Sequence, residues 1–421
     1  MMNYEQARAF VDGFSRSGTP TINLSRAKKL MALLGNPQDS LRFIHIAGTN
    51  GKGSVAEYCT NILRTCGYRT GTLTSPYIRQ YRDRIRLNGE DIPKDAFTEI
   101  CNFVAERVGD EGYSQFEITM AIAMLYFVRE HADVVVLETG IGGLVDSTNI
   151  IAPPLVSIIT SVSMDHMQVL GDTIEQIAAQ KAGIIKQGSE AVFAPDSKPQ
   201  ALRVLIQTAE EQDCPYHIPD TEQCEILEST IAGNKFRYKG TEYSLNMGGK
   251  HQISNALTVL EAVEVLRRRG FDLPQEAVQS ALAETSVPAR IQILQRDPLV
   301  ILDGGHNADG VGALVKALDE SGIENWIGIC GMTGTKDQDA AAFQLALVLR
   351  KVLCVDGFTD GALPKDELSA AFVRQHAMAS PMELDAALPY AIKWAKGSKG
   401  AVVICGSLYL ASHYLNETGN L

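Results

Sequence analysis

No apolar stretch of the 421-residue chain approaches the ~20 residues that a membrane-spanning helix needs. The first residues, Met1 to Gln6, have neither the charged start nor the apolar core of a secretory signal, so export is not expected. Eight cysteines are present without a Cys-x-x-Cys pair, which argues against a structural zinc. Cys330, Cys354 and Cys405 sit in or beside apolar strand-like runs, where a buried thiol is the plain reading. These absences together point to a reduced, cytoplasmic protein. Positive charge is scarce as well: 38 Lys and Arg face 50 Asp and Glu, a net of −12. Binding of nucleic acid by a broad basic face is thereby disfavoured, and an anionic ligand must be met by local cations. Low-complexity segments and short internal repeats are also missing. The length fits two domains, and 45% hydrophobic residues supply ample core.

What is present is a short device near residue 45. An apolar run over 42–47 leads into Gly48-Thr49-Asn50-Gly51-Lys52-Gly53-Ser54, and a helical pattern follows through Val55, Ile62 and Leu63. Glycines in such a turn let backbone N–H groups approach a phosphate, and the helix N-terminus adds a favourable dipole. Lys52 can then reach the β- and γ-phosphates, and the Ser54 hydroxyl can sit on Mg²⁺. Gly48 is separated from Gly51-Lys52 by two residues rather than the usual four, and Gly53 precedes the hydroxyl. A plain strand-to-helix turn is the alternative. The flanking strand and helix favour a nucleoside triphosphate site.

Strand and helix patterns alternate from 42 to about 190. Strands are expected at 42–47, 69–74, 133–138 and 155–161, and helices at 54–66, 94–108, 116–130 and 173–186. Such alternation implies a mostly parallel sheet covered by helices. Residues 191–247 read as a short strand, a helix over 198–211 and an antiparallel appendage on the same domain. Residues 250–286 are helical again. A second, smaller α/β region is expected from 288, with strands at 299–303, 325–330, 351–355 and 401–405 and helices at 308–320, 337–350 and 383–396. The domains are therefore set at 1–287 and 288–421.

Ligands of a parallel sheet bind beyond the carboxyl ends of its strands. Four polar features fall there: the glycine-rich loop, Ser75-Pro76, Glu138 with Gly140, Gly142 and Gly143 behind it, and Asp165-His166. Mg²⁺ takes hard oxygen ligands, which makes Glu138 a candidate; an exposed strand-end carboxylate is the other reading. His166 gains interest only from its place beside the same sheet edge. Arg79, Arg82, Arg84 and Arg86 form a local cation cluster. At period two the last three share a strand face, with Asn88-Gly89 as a hairpin turn; a solvated edge strand explains them as well. Thr173 and Gln176 make a capping box, and Lys181 then shares a helix face with Ile174, Ile177, Ala178 and Ile185. A lysine on an apolar stripe snorkels, pairs or loses its charge. A neutral amine there can take up CO₂ as a carbamate, turning a cation into an anion able to bind metal.

Taken together, these residues resemble the folylpolyglutamate synthase/dihydrofolate synthase family, a branch of the Mur ligases. The resemblance covers nearly the whole chain. It rests on the run from His45 to Ser54, Ser75-Pro76, Phe116-Glu117 with Thr119, Leu137 to Gly143 leading to Asp146-Ser147-Thr148-Asn149, and Met164-Asp165-His166. It continues through Leu170-Gly171, Lys181 to Lys186, His251-Gln252, Asn255-Ala256, Arg290, Asp303 to Asn307, and Gly406 to Leu410. The implied fold is an N-terminal phosphate-loop ATPase domain and a smaller Rossmann-like C-terminal α/β domain. The implied ATP site is Gly48, Thr49, Asn50, Gly51, Lys52, Gly53, Ser54, Asn255, Arg290, Asp303 and His306. Magnesium falls to Ser54, Ser75, Glu138, His166 and a carbamylated Lys181, and catalysis to Lys52, Glu138, His166 and Lys181. Arg82, Phe116, Glu117, Ile118, Asp146, Thr148 and Asn149 fall near the acceptor.

The resemblance implies ATP-dependent amide formation through an acyl phosphate. L-glutamate is joined to a folate or to dihydropteroate, with ATP and Mg²⁺ required, by a monomer that binds neither nucleic acid nor membrane. Closure of the second domain onto the first is implied to complete the site. Several positions depart from the family pattern. Tyr77 stands for histidine, Leu144 for arginine, Ala289 for glycine, Gly305 for alanine and Thr335 for aspartate. Tyr77 and Leu144 keep a Mur-type ligase with a different acid acceptor open as an alternative. A peptidoglycan-type ligase is not expected, because 44 residues before His45 leave little room for a UDP-sugar domain. From another class, a nucleotide-binding regulator remains: Thr335-Lys336-Asp337-Gln338 superficially resembles a guanine-reading motif without its final aspartate.

Overall fold

The computed structural model describes residues 1–15, 23–109, 111–334 and 337–417. Internal contacts divide the chain into two units, Met1–Glu222 with Ser254–Leu282, and Gln223–Ile253 with Ala283–Leu421. Among the described residues no helix is long and apolar enough to cross a membrane.

The first unit holds the strands β1 (Phe43–Ala47), β2 (Thr70–Leu73), β3 (Ile85–Leu87), β4 (Glu90–Asp91), β5 (Val134–Glu138), β6 (Val156–Ile159), β7 (Ala191–Phe193) and β8 (Tyr216–His217). They form one sheet in the order β4-β3-β2-β5-β1-β6-β7-β8. Strands from β2 to β8 run parallel, and the β3–β4 hairpin adds an antiparallel edge. β1 and β5 are buried along their whole length, as expected of strands covered on both faces. The register places Ile46 beside Glu138 on one side and Ile158 on the other, so the ends of β1, β5 and β6 meet at one edge.

The helix Gln115–Arg129 packs against this sheet because it is apolar almost all round. Ser114 and Glu117 close its first turn as a capping box. Gly71 on β2 admits it: a Cβ there would stand 2.8 Å from the Phe127 ring. Phe97, Ile118, Phe127, Leu73 and Leu137 build the core on this face, and Ile159, Ile177, Phe193 and Leu205 belong to a second cluster.

Two expectations in this unit need correction. Arg82 and Arg84 do not lie on a strand. Asp83 Oδ2 accepts the N–H groups of Ile78, Arg79 and Gln80, which winds Tyr81–Arg84 into a 3₁₀ turn, and only Arg86 of that cluster reaches β3. The helix expected over 173–186 ends at Ala182, because Gly183 lies against the backbone of Leu144, where a Cβ would be 2.3 Å from Leu144 Cα. The helices Tyr4–Asp12 and Ser25–Leu33 were not anticipated.

The second unit contains two sheets. β9 (Cys224–Thr230), β10 (Gly233–Tyr238) and β11 (Thr241–Leu245) form an antiparallel meander. It forms a sheet separate from the large one, and its internal contacts group it with the second unit. The other sheet joins β12 (Gln292–Arg296), β13 (Leu299–Leu302), β14 (Trp326–Cys330), β15 (Leu349–Cys354), β16 (Ala379–Pro381) and β17 (Ala401–Cys405), in the order β12-β13-β17-β14-β15-β16. All of its neighbours are parallel except β12, which pairs antiparallel with β13.

Phe127 fills the space that Gly71 opens, so Phe127→Ala should cost about 3–5 kcal/mol. Chemical denaturation followed by far-UV circular dichroism would show it as a lowered midpoint.

Candidate active site

The phosphate-type loop starts where β1 leaves the centre of the sheet. Gly48 is held so closely that a Cβ would lie 1.7 Å from Thr160 Oγ1, at a φ of +152°. Gly51 caps the helix Lys52–Thr65 at φ +87°, and a Cβ there would stand 2.4 Å from Asn255 Oδ1. Only glycine fits either place. Thr49 ties the loop to the segment after β6: its N–H donates to Ser161 O at 2.7 Å and its hydroxyl to Ser163 O at 3.1 Å. The helix thus presents its open N-terminus beside a fixed, glycine-rich turn, the arrangement that receives an anion. Ser54 lies buried in the first turn.

Two lysines converge on this loop. Lys52 Nζ donates to Gly48 O at 3.2 Å and Thr49 O at 3.3 Å, and stands 4.0 Å from Glu138 Oε1. Lys181 Nζ donates to the same Gly48 oxygen at 2.8 Å. Lys181 is 3% exposed. Burial, with repulsion from Lys52 second, lowers its pKa from 10.5 to about 7, against the pull of Asp165 and Asp146. Glu138 is buried at the end of β5, and its Oε2 accepts the Ser75 N–H at 3.2 Å. The structure thus brings Lys52, Ser75, Glu138 and Lys181 around the loop. His166 follows β6 at φ +50° and is exposed, its N–H donating to Asp165 Oδ1 at 2.9 Å.

The segment behind Glu138 is bonded internally. Asp146 Oδ2 accepts the N–H groups of Gly140 (2.9 Å) and Ile141 (3.0 Å), and its Oδ1 accepts Thr148 N–H (3.0 Å) and the Thr148 hydroxyl (2.6 Å). Asn149 Nδ2 bridges Leu144 O (3.1 Å) and Gly183 O (2.9 Å). Glu117 takes a bidentate contact from Arg26, at 2.9 Å from Nε and 2.8 Å from NH2, besides its cap bonds to Ser114. Phe116 packs on Gly140, Ile118 is core, and Arg82 donates to Ile92 O at 2.6 Å. Asp146, Thr148 and Asn149, which the resemblance put near the acceptor, thus make the bonds that shape the loop after Glu138. A role missed in the sequence is that of His45, whose Nε2 lies 2.8 Å from Thr148 Oγ1.

In the second unit, Asp303 follows β13 and accepts the N–H groups of Ile291 (3.0 Å) and Gly305 (2.8 Å). Arg290 lies close by, its NH1 3.3 Å from where a Cβ on Gly304 would be. His306 Nδ1 donates to Gly304 O at 3.0 Å. The three therefore gather at the carboxyl end of β13.

The Mur ligase middle domain matches residues 46–263, and the Mur ligase glutamate ligase domain matches residues 289–408. The dihydrofolate synthase/folylpolyglutamate synthase of Bacillus subtilis is 35% identical, covering 97% of this chain and 97% of its own. The chain belongs to the folylpolyglutamate synthase/dihydrofolate synthase family of Mur ligases. Folylpolyglutamate synthase of Lacticaseibacillus casei is 32% identical over 98% of this chain and 97% of its own. A Mycobacterium tuberculosis folylpolyglutamate synthase, solved with ADP and AMPPCP, superposes with a TM-score of 0.89 at 28% identity, covering all of both chains. The two-domain α/β fold with mostly parallel sheets is that of the family.

The family departures fall into different surroundings. Tyr77 packs its ring at 6.0 Å from Tyr81, with the Arg84 guanidinium 5.3 Å from each ring. Leu144 exposes 47% of its surface, among the exposed side chains of Ile141 and Val145. Thr335 and Lys336 lie outside the described residues, and Asp337 caps the helix Gln338–Ala346 through Ala340 N–H.

Gly51→Ala forces a strained φ and a clash with Asn255, so kcat/KM for ATP should fall about 10- to 100-fold, read by initial rates over an ATP series. The Lys181 amine also has a stability signature. Its folded pKa of about 7 lies below the ordinary 10.5, so between these values the unfolded chain binds the proton that the folded chain refuses. Stability therefore rises with pH across that window. In CO₂-free buffer Lys181→Met should raise the melting temperature at pH 7, and the gain should shrink as pH approaches 10.5.

Proposed function

We propose that this protein is an ATP-dependent ligase that joins L-glutamate to a folate, with dihydropteroate as the second acceptor to test. The observation that carries this reading is the convergence of Lys52, Lys181 and Glu138 around Gly48, at the end of the central strands and beside an open helix N-terminus. The glutamate ligase match over 289–408 and the named relatives support the choice of amine and acceptor.

The reaction needs two steps. An acceptor carboxylate attacks the γ-phosphorus of ATP, the bond to the ADP oxygen breaks, and an acyl phosphate forms. The amine of L-glutamate then attacks the acyl carbon, loses a proton and expels phosphate. Catalysis of such transfers is mostly positioning and charge neutralisation. Loop N–H groups from Gly48 to Ser54 would hold the phosphates, and Lys52 would offset charge that builds on the transferred group. Asn255, Arg290, Asp303 and His306 are proposed to contact the nucleotide.

The donor chemistry around Glu138 fits Mg²⁺: a buried carboxylate with the hydroxyl-bearing Ser54 and Ser75, all hard oxygens. His166 is proposed to join them. When bound, the ion would supply charge neutralisation at the phosphates. Lys181 as an amine cannot ligate a cation while protonated. Its low pKa supports carbamylation: the neutral amine adds to CO₂, releases a proton, and becomes a carboxylate-bearing ligand. We further propose a cytoplasmic location, supported by eight free cysteines, a monomeric state, and domains at 1–287 and 288–421, supported by the two matched spans.

Acceptor-dependent ADP release, with product mass as readout, tests the reading. Dihydropteroate, a reduced folate monoglutamate and no acceptor are compared. A gain of one glutamyl unit on either acceptor is expected, and Lys52→Ala should abolish it. Tight ATP binding without turnover on either acceptor would move the assignment to another acid acceptor.

A further inference from the structure

His45 sits in β1 between β5 and β6, paired with Leu137 and Ser157 and fully buried. Nothing in the reaction above uses it. Every other side chain of β1 is apolar, so a packing role alone would call for an apolar residue here as well. Its bonds instead have a direction. Asp146 takes four donors, from Gly140 N, Ile141 N, Thr148 N and the Thr148 hydroxyl, which is the acceptor set of a carboxylate. The single Thr148 hydroxyl proton is therefore spent on Asp146, and Thr148 Oγ1 must accept from His45 Nε2 at 2.8 Å. This fixes the imidazole proton on Nε2. Nδ1 has no hydrogen-bond partner among the described residues. Burial, with the nearby Lys186 charge second, pulls the imidazole pKa down to about 3, so the ring stays a neutral single-proton donor at working pH.

We propose that His45 is a positioning residue for the ligase reaction: through Thr148 and Asp146 it fixes the loop that follows Glu138, and so sets that carboxylate against Lys52. The relay starts on β1, an interior and fully buried strand of the sheet, and ends on the N–H groups of Gly140 and Ile141, directly behind Glu138 and Thr139. Buried polar chains of this kind hold one geometry because each member has a single way to be satisfied. Asp146 and Thr148 thereby shape the loop itself. The proposal rests on the ligase reading only for its kinetic arm.

The test compares His45→Leu, which removes the donor, with His45→Gln, whose amide N–H can replace it. Rates are counted per nucleotide-binding site, titrated with ADP, so that loss of folded protein does not count. For His45→Leu, kcat should fall about 10- to 100-fold with KM for ATP and glutamate little changed, and His45→Gln should recover most of it. Hydrogen–deuterium exchange over 139–146 should be faster in the leucine variant and near wild type in the glutamine variant. That arm reads the relay even if no acceptor is turned over, which separates it from failure of the ligase reading. Wild-type kcat per site in His45→Leu, or unchanged exchange over 139–146, overturns the proposal. Should His45→Leu not fold, Thr148→Val breaks the same relay at its middle link, and the same outcomes decide.

Discussion

Two lysine amines share one carbonyl oxygen, that of Gly48, and the site is organised around this crowding. Burial taxes the deeper amine most, and repulsion from the nearby Lys52 adds to it. Lys181 is the deeper, so it is the one whose proton affinity gives way. The fold thus prepares a nucleophilic amine beside the glycine-rich loop. Gly48 makes this possible by having no side chain. A Cβ would overlap the Thr160 hydroxyl and push the loop away from both lysines.

The second dependency is the loop after β5. Gly143 lies so near the end of the Lys181 helix that a Cβ would stand 2.9 Å from the carbonyl oxygens of Gln180 and Lys181. Leu144 N–H donates to Gln180 O at 2.6 Å, and Asn149 clamps Leu144 to Gly183. The carbonyls of Asn149 and Ile151 in turn accept from Lys186. One short loop therefore fixes Glu138 at its start and the Lys181 helix along its length. Backbone groups carry these contacts, which explains why glycines and short polar side chains dominate there.

Much of this was legible in the sequence, for identifiable reasons. β5 is an apolar run closed by Glu138, β1 and β6 are apolar but for His45 and Ser157, and a glycine or threonine follows each of the three. The capping box at Thr173 announces its helix directly. The arginine cluster misled because period-two spacing was read without the local competitor: Asp83 captures three backbone N–H groups and turns the chain. The early end of the Lys181 helix was invisible because it depends on a contact with Leu144, distant in sequence. The partners of Asp146, Thr148 and Asn149 were hidden too, since a short polar motif looks the same whether it faces a ligand or its own loop.

The family departures sort by whether backbone or side chain matters at each place. At Leu144 both backbone groups are engaged while about half of the side chain is exposed, so a residue that keeps its N–H preserves both backbone bonds and alters the exposed surface. At Gly305 the side chain matters: an alanine Cβ would stand 2.8 Å from Asp303 Oδ1, against the carboxylate that orders this turn. Ala289 is the reverse case. It adopts φ +58°, where an L-residue is strained by roughly 1–2 kcal/mol. Its N–H bonds to Gln292 and its carbonyl to Gly304, so the surrounding contacts hold it there. Arg290, the next residue, is thus presented by a strained turn at the edge of the second sheet. That strain is tolerated because the bonds on both sides of it determine the turn more strongly than the preference of one alanine.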